Sequence, residues 1–176
     1  LYYGSFFEKK GVEYLIRAFP FVLRKIPAAT LVLAPRHPTP AHILTLIHDL
    51  GIKDHVALSD SIDVVREVQA ADVVVLPYVD MTGTEGNPSC LLEAIACKTP
   101  VVTTRQAELL EIFDENELFY AQPADEQSIA EQIVQALTDM NTVKMRTVRA
   151  FGKISDFDIR NAKEVVYIME SNKDGN

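Results

Sequence analysis

Two glutamates, Glu85 and Glu93, flank the pair Asn87 and Pro88, with seven residues between the two acids. A carboxylate accepts hydrogen bonds from vicinal hydroxyls, the groups that sugars and ribose display. Asn followed by Pro has the chemistry of a helix start, Asn as cap and Pro at the first helical position. The first amides of such a helix, together with its dipole, make an anion site. Gly83 and Gly86 in the same loop permit close backbone approach. Glu93 stands in the apolar run Leu91, Leu92, Ala94, Ile95, where a charge needs a partner or a cleft. The plainer alternative is a solvated loop acid and an ordinary exposed helix position.

Other chemistries leave no mark. The histidines, His37, His42, His48 and His55, lack metal-ligand spacing on a recognisable element. There is no Cys-x-x-Cys, no G-x-G-x-x-G after the first strand and no G-x-S-x-G elbow. Neither a metal nor a cofactor is expected.

The elements that must position the acids follow from periodicity. Short aliphatic runs at 1–4, 30–34, 55–58, 72–77, 100–104 and 118–121 read as strands buried on both faces. Helix-length stretches at 11–26, 39–50, 61–70, 88–98 and 106–113 alternate with them. Pro27 ends the first helix. Three further helices are expected near 125–140, with Asp125 as cap, 142–152 and 155–170, followed by a frayed tail at 171–176. The alternation predicts an α/β, Rossmann-like three-layer domain over 1–170, with a parallel sheet of about six strands and helices on both faces. Such sheets bind ligands at the carboxyl ends of their strands, which is where the Glu85 loop falls.

The totals agree with one globular domain: 176 residues, 48% hydrophobic and 24% charged. The net charge of −8 argues against a nucleic-acid partner. No apolar run approaches the ~20 residues of a membrane span. Cys90 and Cys97 are too far apart on one helix for a disulfide, so reduced thiols and a cytoplasmic setting are expected. The start at Leu1, directly on a strand, reads as a piece of a longer protein.

The stretch from Ala71 to Pro77, then Glu85 through Leu92, Glu93 and Ala94 to Val102, resembles the retaining glycosyltransferases of GT-B fold. More narrowly, it resembles the group that includes sucrose synthase, glycogen synthase and bacterial mannosyltransferases. The resemblance runs from about Leu1 to about Leu137 and implies the carboxy-terminal, donor-binding half of that fold. It implies that Glu85 contacts the transferred sugar and that Glu93 contacts the ribose hydroxyls. Gly86, Asn87, Pro88 and Ser89 would approach the donor's sugar and diphosphate through backbone. Base contacts in that fold are largely made by backbone, around 59–62 here.

Family members also carry Gly-Arg shortly before Lys-Gly, and the Arg and Lys hold the diphosphate. Here Gly4 is followed by Ser5, and Lys10 precedes Gly11. Lys10 thus takes the lysine's place, while Ser5 stands where the arginine would be. Lys9, Arg36 and Arg105 are candidate substitutes. The implied reaction moves a hexose from a nucleotide diphosphate sugar to a hydroxyl acceptor with retention. The partners are that donor and an amino-terminal acceptor domain absent from this chain, so the isolated chain is expected to transfer little. Two alternatives are a non-catalytic flavodoxin-like interaction module and a nucleotide-sugar epimerase half.

Overall fold

A computed structural model of the chain describes residues 1–59, 63–82 and 88–154. Among these residues six strands alternate with helices: β1 (Tyr2–Gly4), α1 (Val12–Lys25), β2 (Leu31–Pro35), α2 (Ala41–Asp49), β3 (Val56–Leu58), α3 (Val64–Ala70), β4 (Val74–Leu76), α4 (Ser89–Ala96), β5 (Val101–Thr104), α5 (Ala107–Leu110) and β6 (Phe119–Ala121). Two longer helices follow, α6 (Glu126–Thr138) and α7 (Met140–Ile154).

All the strand pairings are parallel, in two three-stranded sheets ordered β1-β2-β3 and β4-β5-β6. The expected single sheet of six is therefore interrupted at its centre. The interruption is narrow. Leu1 N donates to Val73 O at 2.8 Å and Leu1 O accepts from Val75 N at 2.9 Å, the two bonds of one parallel bridge. The order across both sheets is then 3-2-1-4-5-6, and the switch between β1 and β4 is the point at which open α/β sheets bind ligands.

Side chains alternate across each strand, and that alternation builds two cores. Tyr2, Leu33, Val75 and Phe119 join Leu15 of α1, Ile43 of α2 and Ile129 of α6. Their neighbours Tyr3, Ala34, Leu76 and Tyr120 join Val68 of α3, Leu91 of α4, Leu109 of α5 and Ala150 of α7. Three layers result. β3 departs from the doubly buried expectation, because it is an edge strand and its Leu58 is exposed.

Local signals explain the helix ends. Ile26, next to Pro27, leaves helical geometry at φ −132°, as a residue before proline must. Asp125 caps α6 as expected, accepting from Ser128 N at 2.9 Å. α7 starts two residues earlier than the periodicity indicates, because Asp139 accepts from Thr142 N at 3.1 Å and caps it. The described part of α4 also differs by one residue from expectation. Pro88 is extended (φ −61°, ψ 126°) and occupies the cap position, so the helix proper begins at Ser89. The expected 155–170 helix, the 171–176 tail, the 60–62 part of the base-contact loop, and Glu85, Gly86 and Asn87 lie outside the described residues.

Candidate functional site

The carboxyl ends of β1, β4 and β5 converge through the segment that follows β4. At Gly11 the chain turns with φ +71°, and a Cβ there would lie 1.8 Å from Pro77 O. Only glycine permits this approach. Val79 N donates to Lys9 O at 2.9 Å, which ties the β1–α1 loop to the β4 exit. From the other side, the buried Thr104 hydroxyl donates to Tyr78 O, and Gln106 Nε2 donates to the same oxygen at 3.0 Å. The loop leading towards Glu85 is thus held by two neighbouring strand ends.

The two adjacent lysines have different tasks. Lys9 Nζ lies 3.1 Å from Asp80 Oδ2 and donates to Thr82 O at 3.0 Å. It is a staple between loops, and its charge is already matched. Lys10 Nζ instead sits over the Tyr78 ring, 4.9 Å from the centroid. The Tyr78 hydroxyl in turn lies 3.9 Å from Cys90 Sγ in the first turn of α4. One aromatic ring therefore spans from the Lys10 ammonium to the start of α4. Pro88 is buried and Ser89 exposed. A proline cap offers no side-chain acceptor; its carbonyl accepts from Leu91 N at 2.9 Å, and among the described residues the amides of Ser89 and Cys90 are those left to face an anion.

Glu93 lies on the exposed side of α4, one turn further along. Tyr3, on β1, donates its hydroxyl to Glu93 Oε2 at 3.2 Å and to Cys90 O at 2.7 Å. Gly4 ends β1 with φ 140°, and its carbonyl accepts from Arg36 N at 2.9 Å. Ser5 is half-buried, and its carbonyl accepts from the Tyr2 hydroxyl. Of the three cations considered for the place Ser5 vacates, Lys9 is engaged as above, and Arg105 pairs with Glu115 at 2.6 Å. Arg36 is exposed, at the end of the strand beside Gly4, and forms no ion pair with a described residue.

Lys10, Ser89 and Glu93 are thus on the carboxyl edge of the sheet, with Gly4 and Ser5 beside them at the end of β1. Sequence reasoning missed Tyr3, Tyr78, Asp80 and Gln106. The last three sit in loops marked by their position after strands, whereas Tyr3 looks like an ordinary strand residue. A cavity of about 950 Å³ opens at the opposite end, against Leu1, Thr30, Asp72 and Pro100. Those are the amino ends of the strands, and the cavity reaches none of Lys10, Ser89 or Glu93. Size alone does not make it the site, since open parallel sheets present their ligand crevice at the other edge. Among the described residues, no group of three or more His, Cys, Asp or Glu is placed to hold a metal ion. No described helix is long and apolar enough to cross a membrane.

The profile of the family described as "Glycosyl transferases group 1" matches residues 1–139. The chain belongs to this family. A glycosyltransferase of Methanocaldococcus jannaschii, itself uncharacterized, is 30% identical over 171 residues, which are 95% of this chain and 40% of that protein. Anabaena HepE, solved in complex with UDP-glucose, has a TM-score of 0.82 at 19% identity, over 97% of this chain and 48% of that one. The C-terminal domain of a group 1 family glycosyl transferase (LpcC) of Francisella tularensis has a TM-score of 0.72 at 22% identity, covering 88% of this chain and 84% of that one. The chain thus spans less than half the length of the curated relative and most of a lone carboxy-terminal domain. The fold is that of GT-B carboxy-terminal domains, and the chain is a glycosyltransferase family domain.

In this glycosyl transferase domain the loop staple has a defined pH range. The hydrogen bonds from the Thr82 hydroxyl and backbone N–H, then the one from Lys9, hold the Asp80 carboxyl at about 2 against an ordinary 3.8. A lowered carboxylate pKa stabilises the folded loop above the ordinary value and stops doing so as pH falls through the lowered one. The Asp80 side-chain carbon signal in a pH titration is expected to hold its ionised shift down to pH 4 and move only near 2. A midpoint near 3.8 would mean that the staple does not form in solution.

Proposed function

We propose that this chain is the donor-binding half of a retaining hexosyltransferase. The observation that carries the reading is the Tyr78 ring, which joins the Lys10 ammonium to the first turn of α4. A lysine and a set of helix-start amides at one spot make a diphosphate site. Glu93, one turn away, is spaced for the ribose hydroxyls. Glu85 orients the transferred sugar, a role that rests on its resemblance to the family motif. Gly86, Asn87, Pro88 and Ser89 line the approach to the sugar and diphosphate.

In the reaction, the bond between the sugar and the donor's diphosphate breaks, and the acceptor oxygen takes its place on the same face. Negative charge develops on the departing nucleoside diphosphate. Preformed donors aimed at that charge lower the barrier without reorganising. Lys10 and the Ser89 end of α4 are such donors. The acceptor is held by an amino-terminal domain, so this chain by itself binds donor but transfers little. The binding of UDP-glucose by HepE supports the ligand class.

A thermal-shift panel of UDP, GDP and ADP sugars tests this reading. A ligand present at a hundred times its Kd stabilises by about 2.7 kcal/mol. For a domain of this size that raises Tm by roughly 5–10 °C. No shift with any nucleotide sugar, for this chain and for the full-length protein, would overturn the proposal. The same assay reads the Ser5 departure. Ser5→Arg restores a cationic fork to the diphosphate, with an expected gain in donor affinity of roughly tenfold. Unchanged affinity would mean that Ser5 does not face the diphosphate.

A further inference from the structure

We infer that Tyr3 is a positioning residue of the donor site: its hydroxyl, bonded to both Cys90 O and Glu93 Oε2, sets the direction in which Glu93 meets the ribose. The inference rests on the donor-site reading above and goes beyond it, because it assigns a role to a strand residue outside the Glu85–Glu93 stretch.

The geometry follows from β1. Strand alternation sends the Tyr2 ring to the α1 face and the Tyr3 ring to the α4 face. The body of Tyr3 is buried at 7% exposure, so its hydroxyl has little freedom to move. Burial, then the neighbouring Glu93 charge, raise the hydroxyl's pKa far above its ordinary value. It is therefore a donor throughout the neutral range. The shorter bond, at 2.7 Å, anchors the hydroxyl to the first turn of α4. The second, at 3.2 Å, reaches Glu93 one turn on. A hydroxyl has one proton, so the two acceptors share it. The effect on Glu93 is orientation with a modest energy.

A glutamate on an exposed helix face otherwise has several rotamers open to it, and ordering it on binding costs affinity. A fixed donor on a strand removes part of that cost. The bond engages one carboxylate oxygen, and a carboxylate has a second oxygen with lone pairs for a ligand hydroxyl. The Tyr3 bond therefore orients Glu93 without consuming its capacity to bind.

The test is Tyr3→Phe, which removes one oxygen and keeps the ring. Kd values for UDP, GDP and their 2′,3′-dideoxy counterparts are measured for the parent protein, Tyr3→Phe and Glu93→Gln. Tyr3→Phe is expected to weaken UDP or GDP binding roughly three- to tenfold. The dideoxy compounds, which lack the hydroxyls that Glu93 would hold, are expected to bind the parent and Tyr3→Phe equally. The comparison is a ratio within each variant, so any loss of folded protein cancels. Equal weakening of ribose and dideoxy ligands, or no weakening at all, would overturn the inference and leave Tyr3 as packing. If Glu93→Gln loses ribose affinity and Tyr3→Phe does not, the donor-site reading stands and the Tyr3 role fails. If Glu93→Gln binds UDP and GDP as well as the parent does, the ribose role of Glu93 fails, and the Tyr3 role fails with it.

Discussion

Lys10→Met in the full-length protein is expected to slow sugar transfer by a hundredfold or more, while Lys9→Met changes it far less. Removing one preorganised donor to a developing negative charge costs roughly 10²- to 10³-fold in kcat. Lys10 is the lysine suited to serve, because its Nζ rests on the Tyr78 ring and pairs with no carboxylate among the described residues. Methionine keeps much of the apolar stem against that ring and removes the charge. Lys9 spends its charge on Asp80 and Thr82 in a half-exposed staple. Exposed pairs of this kind contribute about 0–1 kcal/mol, so Lys9→Met should loosen the loop and raise the donor KM a few-fold at most. Steady-state rates of the two variants decide between the lysines. Equal losses would mean that the charge of the loop as a whole matters, and that the ring contact does not select Lys10.

Gly11→Ala is expected to destabilise the fold by about 3 kcal/mol or more, with a loss in Tm of roughly 6–12 °C. Two costs add. An alanine at φ +71° pays roughly 1–2 kcal/mol for left-handed backbone. Its Cβ would also fall 1.8 Å from Pro77 O, a backbone atom that cannot swing aside as a side chain can. The two loops must then part, at the expense of the 2.9 Å bond from Val79 N to Lys9 O. Gly51→Ala is the control. Gly51 has a similar φ of +65°, but nothing lies within 4 Å of its missing Cβ. It carries the first cost alone, so Gly11→Ala should lose at least twice the Tm of Gly51→Ala in a thermal melt. Equal losses would mean that the β1–α1 loop is free of the β4 exit in solution.

Much of this architecture was legible in the chain itself. Strand runs such as 101–104 and helix patterns such as Val12, Leu15, Ile16 and Phe19 announce themselves, because burial on one or both faces imposes a period on side-chain type. Pro27 and Asp125 mark their helix ends by backbone chemistry that needs no distant partner. The start of α7 was less legible, since Asp139 stands outside the apolar pattern that located the helix. The break between the sheets was not legible, because it depends on how few residues of β1 meet β4.

For the site, residue types and spacing alone located a helix start next to Pro88, with Glu93 inside the helix and Lys10 at the end of another strand, although Pro88 is the cap and not the first helical residue and Glu85 lies outside the described residues. Tertiary structure decided that Lys9 pairs with Asp80 while Lys10 rests on the Tyr78 ring, that Tyr78 reaches from Lys10 to the start of α4, and that Tyr3 reaches Glu93 across 90 positions of sequence. Periodicity and capping are written locally, in residues a turn or two apart. A hydrogen bond between a strand and a helix far along the chain depends on the parallel crossovers that bring them together, and no local pattern records it.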